Sequence, residues 1–481
     1  MKTDVNRRTF VKMGAAGATV AAIPGMLKAQ KAPATAAGAY YRANETVRVA
    51  CVGYSDRFRG SLLPCFMDHQ KDLNFKMVAV ADLWKKRLQE KALPEMKKRL
   101  GHDLAAYSSD VDLYANAKDI DAVIISTADF QHAQHACHAV NAGKDAYCEK
   151  PLAEDMYSAN LLKDAIDLKR QAGFAPGAVL QIGSQRRSGR AYHAAKAYLD
   201  SKAFGDVSYG DLRWNVNQPQ RWRRPEALIA SLKKEDIDWN MWLLDRDPSE
   251  YAFDPRKYLE FRLFWPFSSG TPGQWMCHQI DTVAWFTGFE YPKSAMSSGG
   301  LYQWADGRQS YDTFTTVLEY GESGVKGKGF QCVFQSHQTN CGGGSNPNRE
   351  SPIEKYFGPN GCVDMGRRMV TNEGVERKKW EEKALPAPKE VVVTSANTGA
   401  DPLTSAHMRN WMECVRARKN PNAPIEAGYS HAIALIMANA SARTGMRATF
   451  CPEKRQVMVG GKPFIGYAST ATGGFFSRLF G

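Results

Sequence analysis

Several absences narrow the class of this 481-residue chain before any motif is read. None of its ten cysteines, at 51, 65, 137, 148, 277, 332, 341, 362, 414 and 451, stands in a Cys-x-x-Cys pair, which argues against a zinc ribbon or an iron–sulfur cluster. Cys51 and Cys148 fall in or beside apolar strand-like runs, so buried free thiols are expected there. No dense basic block accompanies the formal charge of +13 (63 Lys+Arg against 50 Asp+Glu). The basic runs are short: Lys97 to Arg99, Gln185 to Arg187, and Arg221 to Arg224. Tracking phosphates along a nucleic acid needs a clustered basic surface, so no nucleic-acid partner is expected. There is no internal repeat. His132, His135 and His138 suggest a metal set, but positions i and i+6 point to different sides of a helix, and no metal is expected. What is present is an ordinary globular balance, 43% hydrophobic and 11% aromatic, at a length that suits two or three domains of about 100 to 200 residues.

The N-terminus reads as an address. Asn6-Arg7-Arg8-Thr9-Phe10-Val11-Lys12, the apolar run Met13 to Met26 and the small residues around Ala29 and from Ala34 to Ala37 resemble a twin-arginine export signal. The run is too short and too weakly hydrophobic to span a bilayer of about 30 Å, and no other segment is long and apolar enough. The expectation is a periplasmic protein handled by the twin-arginine machinery, without stable membrane insertion. Proteins exported this way fold first, often around a cofactor.

Along the chain, Val47 to Gly53, Lys76 to Ala81, Asp121 to Thr127 and Asp145 to Glu149 read as short buried strands alternating with helical stretches. That alternation predicts a parallel sheet with helices on both faces and a ligand beyond the carboxyl ends of its strands. After about residue 175, Val179 to Gly183, Val207 to Val216, Tyr311 to Tyr320 and Gly329 to Gln335 read as strands of a second sheet. Gly342 to Asn348 reads as a loop, and His407 to Arg418 and Tyr429 to Thr444 as helices. The expected division is 1–43 for signal and linker, 44–174 and 175–468 for two domains, and 469–481 for a flexible tail.

The turn after the first strand, Gly53-Tyr54-Ser55-Asp56-Arg57-Phe58-Arg59-Gly60, keeps the first glycine of a dinucleotide fingerprint and has Ser at the second. Asp82, 22 residues beyond Gly60, closes the second strand where a carboxylate accepts adenosine ribose hydroxyls. A carboxylate there favours NAD, while Lys85 and Arg87 leave NADP open.

Thr127-Ala128-Asp129-Phe130-Gln131-His132, then Ala142-Gly143-Lys144, then Cys148-Glu149-Lys150-Pro151 closely resemble the Gfo/Idh/MocA family of glucose–fructose oxidoreductases and inositol dehydrogenases. The resemblance runs from about Thr46 to Pro452. Ser55, Ala128 (for Pro) and Gln274 depart from the pattern. It implies an α/β protein: an N-terminal Rossmann domain and a C-terminal α/β domain with a large open, mostly antiparallel sheet. It also implies a nicotinamide cofactor contacted by the Gly53 to Arg57 turn, Asp82, Thr127, His132, Glu149 and Lys150. Lys150 would then be the general base of alcohol oxidation, since an ammonium beside a cationic ring is repelled toward its neutral form.

In Gln274-Trp275-Met276-Cys277-His278-Gln279-Ile280-Asp281, helical spacing sets Gln274, His278 and Asp281 along one edge of a pocket. Family dehydrogenases commonly carry Asp where this chain has Gln274, which orients a hydroxyl without taking its proton. Gln185 and Arg186, with Arg187, either hold sugar hydroxyls or a carboxylate or form salt bridges at a domain edge. Trp214, Trp222, Trp239 and Trp242 either stack on sugars or belong to the core.

The implied function is NAD-dependent hydride transfer to or from a sugar, glycoside or polyol, with the cofactor tightly held. The alternative is a glycoside hydrolase or lyase that oxidises C3 transiently, and a third reading is a sugar-binding protein without turnover. A homo-oligomer is expected from the same resemblance.

Overall fold

Six strands form a parallel sheet in the order β3-β2-β1-β4-β5-β6 in the computed structural model. They are β1 (Val47–Val52), β2 (Phe75–Ala81), β3 (Ala105–Tyr107), β4 (Ala122–Ile125), β5 (Asp145–Cys148) and β6 (Leu180–Ile182). The described residues are 44–466, apart from 118, 174–177, 202–203, 217, 219–220, 340–350, 367–368, 374–379 and 385–400. The expected export signal, the loop Gly342 to Asn348 and the tail from Ser469 lie outside them. Every residue of β4 and β5 is buried, as is all of β1 except half-buried Arg48. Helices cover both faces, so these strands read as continuous apolar runs rather than as an alternation.

That same property misled the expectation for Val179 to Gly183. Leu180–Ile182 does not join the second sheet: it pairs in parallel with β5, Ala146 opposite Leu180, after the crossover helix Met156–Gln171. An apolar run buried on both sides carries no period that tells which sheet it belongs to.

The second sheet has eleven strands among the described residues. They are β7 (Tyr209–Asn215), β8 (Ser294–Gly300), β9 (Thr313–Gly321), β10 (Gly329–His337), β11 (Ser351–Gly358), β12 (Gly361–Asp364), β13 (Met369–Glu373), β14 (Trp380–Ala384), β15 (Ala448–Cys451), β16 (Gln456–Val459) and β17 (Lys462–Pro463). Their order is β14-β13-β12-β11-β7-β10-β9-β8-β15-β16-β17, antiparallel except where β10 pairs in parallel with β7. In β9 and β10 buried residues alternate with half-buried or exposed ones, the mark of a sheet with one covered face.

The helix Ile425–Thr444 joins the two sheets. It is buried nearly all round, its Ile433, Leu435 and Met437 sharing one core with Leu152 and Ile182 of the first domain and Phe314, Leu318 and Phe334 of the second. Gly428 permits the close approach, since a Cβ there would fall 2.9 Å from Ile182 Cγ1. The helix Pro402–Ala417 returns to the first sheet and packs Met408 and Trp411 against the cluster of Val47, Val49 and Phe75. A third cluster forms a roof. Trp239, Trp242 and Phe267 of the long connection after β7 pack on Phe130, and Ile237 bridges to Trp84 beyond the end of β2. Trp239 and Trp242 are therefore core residues.

Candidate active site

The carboxyl ends of β1, β4 and β5 open on a cleft of about 260 Å³ whose far wall comes from the second domain. On the near wall, Gly53 has φ +85°, and a Cβ on it would lie 2.7 Å from Thr127 Cγ2. Only glycine lets the two strand ends approach this closely. Ser55, in the place of the second glycine, caps the following helix. Its Oγ accepts the Phe58 N–H at 3.2 Å and donates to Ser126 Oγ at 3.1 Å. The turn is shorter than expected, because the chain is already helical at Asp56 and Gly60 lies inside a π-helical turn, Phe58–Leu62.

Ser55 and Arg57 line the cleft. Arg57 Nε donates to Glu149 at 3.0 Å and Nη1 to Ser61 at 2.8 Å. Burial alone would raise the Glu149 carboxyl, but Arg57 and then Lys150 hold it below the usual range. Tyr54 and Asp56 turn away: the Tyr54 ring is buried against Phe58, and Asp56 pairs with Arg224 at 2.8 Å and Arg87 at 3.3 Å. Asp82 ends β2 as expected but stands outside the cleft wall. Its oxygens accept the Tyr54 and Trp84 amides at 2.8 and 2.9 Å, and burial raises its carboxyl.

Two polar atoms on the near wall lack a hydrogen-bond partner, Thr127 Oγ1 and His132 Nε2. His132 Nδ1 donates to the Pro151 carbonyl at 2.8 Å, so Nε2 carries the lone pair, and burial keeps the ring neutral by lowering its pKa. An unpaired hydroxyl and an unpaired acceptor over a glycine turn fit the ribose and amide groups of a dinucleotide. Lys150 follows the end of β5, at a cis Lys150–Pro151 peptide, and its Nζ donates to the Gln274 carbonyl at 3.0 Å.

The far wall is built from the π-helical turn Pro272–Met276 and the helix Cys277–Thr287. Gln274, Trp275 and His278 all line the cleft, so the expected common face survives the wider turn. Gln274 is held at both ends. Its Nε2 donates to Asp129 Oδ2 at 2.5 Å and its Oε1 accepts from Arg262 Nε at 3.0 Å. A carboxylate thus stands directly behind the amide. Trp214 lies nearly parallel to Trp275, with centroids 6.4 Å apart, and 5.7 Å from the His278 ring. Burial, then the charges of Lys150, Arg186 and Arg57, lower the His278 pKa well below its ordinary value, so the imidazole is neutral.

Three expectations are corrected. Asp281 does not share the edge with His278: it is fully buried and its oxygens take Arg187 Nε at 3.0 and 2.9 Å. Arg186 does not reach the cleft either, being buried against Glu354 with its guanidinium over Trp214; of that run only Gln185 lines the wall. The helix histidines do converge in part. His132 turns to Pro151, but His135 and His138, three residues apart, both reach Asp110 Oδ2, at 2.8 and 2.7 Å. Their three donor atoms lie within 4.8 Å of one another, a spacing open to an ion. The i,i+6 argument overlooked the i,i+3 pair and could not see Asp110, which sits on a separate helix.

Sequence reasoning also missed Ser126, Arg221 and Arg262 on the cleft wall and Asp129 behind it. Arg221 carried a faint signal, a short basic run beside Trp222. Arg262 and Asp129 carried none, because only the packing of the roof brings them together.

Residues 47–174 match the Gfo/Idh/MocA family, described as "Oxidoreductase family, NAD-binding Rossmann fold". The first domain is thus similar to the NAD-binding Rossmann domains of that family. Inositol 2-dehydrogenase of Agrobacterium fabrum is 27% identical over 229 residues, 47% of this chain and 59% of the relative. Inositol 2-dehydrogenase of Salmonella typhimurium is 32% identical over 133 residues, 27% of this chain and 38% of the relative. The chain therefore spans less than two thirds of the length of these curated relatives. Levoglucosan dehydrogenase, solved with NADH and levoglucosan, shares the fold at TM-score 0.59 and 14% identity, covering 84% of this chain and 99% of that one. Aldose-aldose oxidoreductase of Caulobacter crescentus, solved with glycerol, shares it at TM-score 0.56 and 16% identity, covering 84% and 100%.

Proposed function

We propose that this chain is an NAD-dependent oxidoreductase that moves a hydride to or from a hydroxyl-bearing carbon of a sugar or polyol. The observation that carries this reading is the position of Lys150. It leaves the nucleotide-binding domain at the loop after β5 and reaches across to the Gln274 carbonyl, in the cleft that Trp214 and Trp275 also line. Gly53, Ser55, Thr127 and His132 would hold NAD, which when bound supplies the hydride acceptor.

The chain's own work is binding and proton transfer. The paired indoles offer an apolar face on which the C–H face of a sugar ring stacks. The Lys150 amine takes the hydroxyl proton as the carbonyl forms and returns it in reduction. Neutral His278 accepts a hydrogen bond from the same or the neighbouring hydroxyl. Gln274, fixed between Arg262 and Asp129, keeps its main-chain oxygen aimed at Lys150 and takes no proton itself.

A second reading is favoured by the presence of two proton acceptors on one cleft, Lys150 and His278: transient oxidation at C3, loss of the C2 proton and cleavage of a glycosidic bond. One experiment separates the two. Purified protein with NAD is scanned at 340 nm against sugars, polyols and glycosides while products are followed. Lasting reduction of the nucleotide supports the oxidoreductase. Bond cleavage with no lasting 340 nm signal supports the second reading, and no nucleotide binding defeats both.

The twin-arginine pattern Asn6 to Lys12 supports export to the periplasm, where a retained nucleotide would be recycled within the cycle. N-terminal sequencing of periplasmic material should start after the Ala-rich stretch ending near Ala37, and an intact Met1 there would refute it. Homo-oligomerisation, which the family resemblance implies, is tested by light scattering; a monomer at micromolar concentration would refute it.

A further inference from the structure

A carboxylate and two imidazoles meet inside the first domain, and none of the three lines the cleft. Asp110 opens the short helix Asp110–Asn116 that follows β3, and His135 and His138 stand one turn apart on the helix His132–Asn141. All three are buried, with exposures of 2%, 3% and 6%. The two rings stand at 85° to each other with centroids 6.0 Å apart, and both turn Nδ1 to the same carboxylate oxygen, Oδ2, at 2.8 and 2.7 Å. Among the described residues, this is the group of metal-ligating side chains whose donor atoms converge, all within 4.8 Å of one another.

Hydrogen bonding leaves this carboxylate half served. Its Oδ1 is buried and receives no donor, and Asp110 pairs with the two imidazoles and with no lysine or arginine. Native cores hold few such oxygens, because an unmet buried acceptor is destabilising. Burial alone would raise the Asp110 carboxyl, yet His135 and then His138 hold it well below the usual range, so it is ionised, the form that ligates. The reaction proposed above uses none of these residues.

We propose that Asp110, His135 and His138 bind one divalent transition-metal ion of the zinc class, through the two Nδ1 atoms and the two carboxylate oxygens. Imidazole nitrogen with carboxylate oxygen suits zinc, whereas calcium and magnesium take oxygen ligands. A neutral imidazole moves its proton from Nδ1 to Nε2 as Nδ1 takes the ion, and His135 Nε2, which has no hydrogen-bond partner, is open to it. Tetrahedral ligands at about 2.0 to 2.1 Å from zinc lie about 3.3 Å apart, so Asp110 draws back by about half an ångström, a small side-chain rotation. Four donors from three buried residues make a closed, structural site. It would tie the helix after β3 to the helix that starts with His132 on the cleft wall.

The test uses the untagged full chain, stripped with EDTA, dialysed free of chelator and titrated with Co²⁺ and with Zn²⁺. One equivalent of Co²⁺ should give the visible bands of a nitrogen and oxygen site, without the near-ultraviolet charge-transfer band of a thiolate ligand, and Zn²⁺ should bleach them. Zn²⁺ at a hundredfold excess over its Kd should raise the melting temperature by about 2 to 4 °C. His135→Asn and His138→Asn, made separately, should each weaken Zn²⁺ binding by at least about 10²-fold and abolish that rise, since losing even an outer partner of a ligand costs about 10 to 10². A cooperative melt of each stripped variant shows that it folds. If neither does, the spectrum and stoichiometry of the parent decide.

A folded parent that takes up no stoichiometric Co²⁺ overturns the proposal, as does a thiolate band in its spectrum. Uptake and stabilisation that persist unchanged in both histidine variants overturn it too.

Discussion

Lys150 and Gln274 meet across the two domains, the Nζ of one donating to the main-chain oxygen of the other at 3.0 Å. The contact tethers the long, flexible lysine stem in the cleft that Trp214 and Trp275 also line, so the amine is held at one place instead of sampling many. Its acceptor is a backbone atom of a π-helical turn, a local geometry found frequently at functional sites.

Lys150→Met should therefore lower kcat by about 10² to 10⁴ while nucleotide binding persists, since the substitution removes a proton acceptor and keeps the apolar stem. Lys150→Arg should not restore the rate, because guanidinium does not release its proton near neutral pH. Steady-state rates at 340 nm and an NADH fluorescence titration check both statements. A Lys150→Met enzyme within threefold of the parent would remove the lysine from the chemistry.

Gln274 invites a second substitution. Asp129 Oδ2 already accepts from Gln274 Nε2 at 2.5 Å and from Ser268 Oγ at 2.6 Å. Gln274→Asp would set a second carboxylate against the first, and like charges at that range raise the pKa of one of them. A group raised on folding contributes stability below its unfolded pKa and loses it as pH rises through the folded value. The variant should thus match the parent near pH 4 and fall about 2 kcal/mol behind it by pH 8. Urea unfolding across that range measures the gap, and a gap independent of pH would count against the geometry.

How much of this was legible in the sequence follows from how local each signal is. The strands β1, β2, β4 and β5 and the Gly53 turn could be read because apolar runs and a glycine turn are written in consecutive residues. Lys150 and His132 could be placed because they lie in short motifs beside those strands, and His278 because it lies in a short motif of its own on a helix. Asp281 misled because its helical spacing to His278 is correct, yet Arg187, 94 residues away, claims its carboxylate. Arg186 misled for the same reason, its partner Glu354 being 168 residues distant. Arg262 and Asp129 left no trace because the roof that joins them is assembled from Trp239, Trp242, Phe267 and Phe130, an aromatic cluster with no period.

Glu154 offers a test of the same wall from behind. It accepts from Ser269 Oγ at 3.1 Å beneath the π-helical turn, and burial, then the charge of Asp129, push its carboxyl up to about 8. With the folded value above the unfolded one, its contribution to stability is complete below about pH 4.5 and is lost as pH rises through the folded value. Glu154→Gln should flatten that slope and melt above the parent at pH 9, but not at pH 5, by at least about 1 kcal/mol. Thermal melts at the two pH values decide it, and a parent whose stability rises from pH 5 to pH 9 with no change of slope in the variant would overturn it.

On the proposed function, His278 would bear on the acid side of the activity profile only well below its ordinary range. Burial comes first among the causes that lower its pKa, followed by Lys150, Arg186 and Arg57, all of which oppose a further positive charge on the wall. An imidazole so placed stays neutral, and able to accept a hydrogen bond from the substrate hydroxyl, well below the ordinary histidine value of about 6.5. The kcat/KM profile should therefore show no histidine inflection near pH 6.5 on its acid side, and any acid limb owed to this ring should lie well below it. His278→Gln keeps a polar side chain of similar reach but cannot relay a proton, so kcat should fall by roughly 10 to 10² and that acid limb should vanish. A parent profile that turns down at pH 6.5 and is unchanged in His278→Gln would place the titrating group elsewhere. One that turns down there and is lost in His278→Gln would show the ring protonating in its ordinary range, with the surrounding cations failing to hold it neutral.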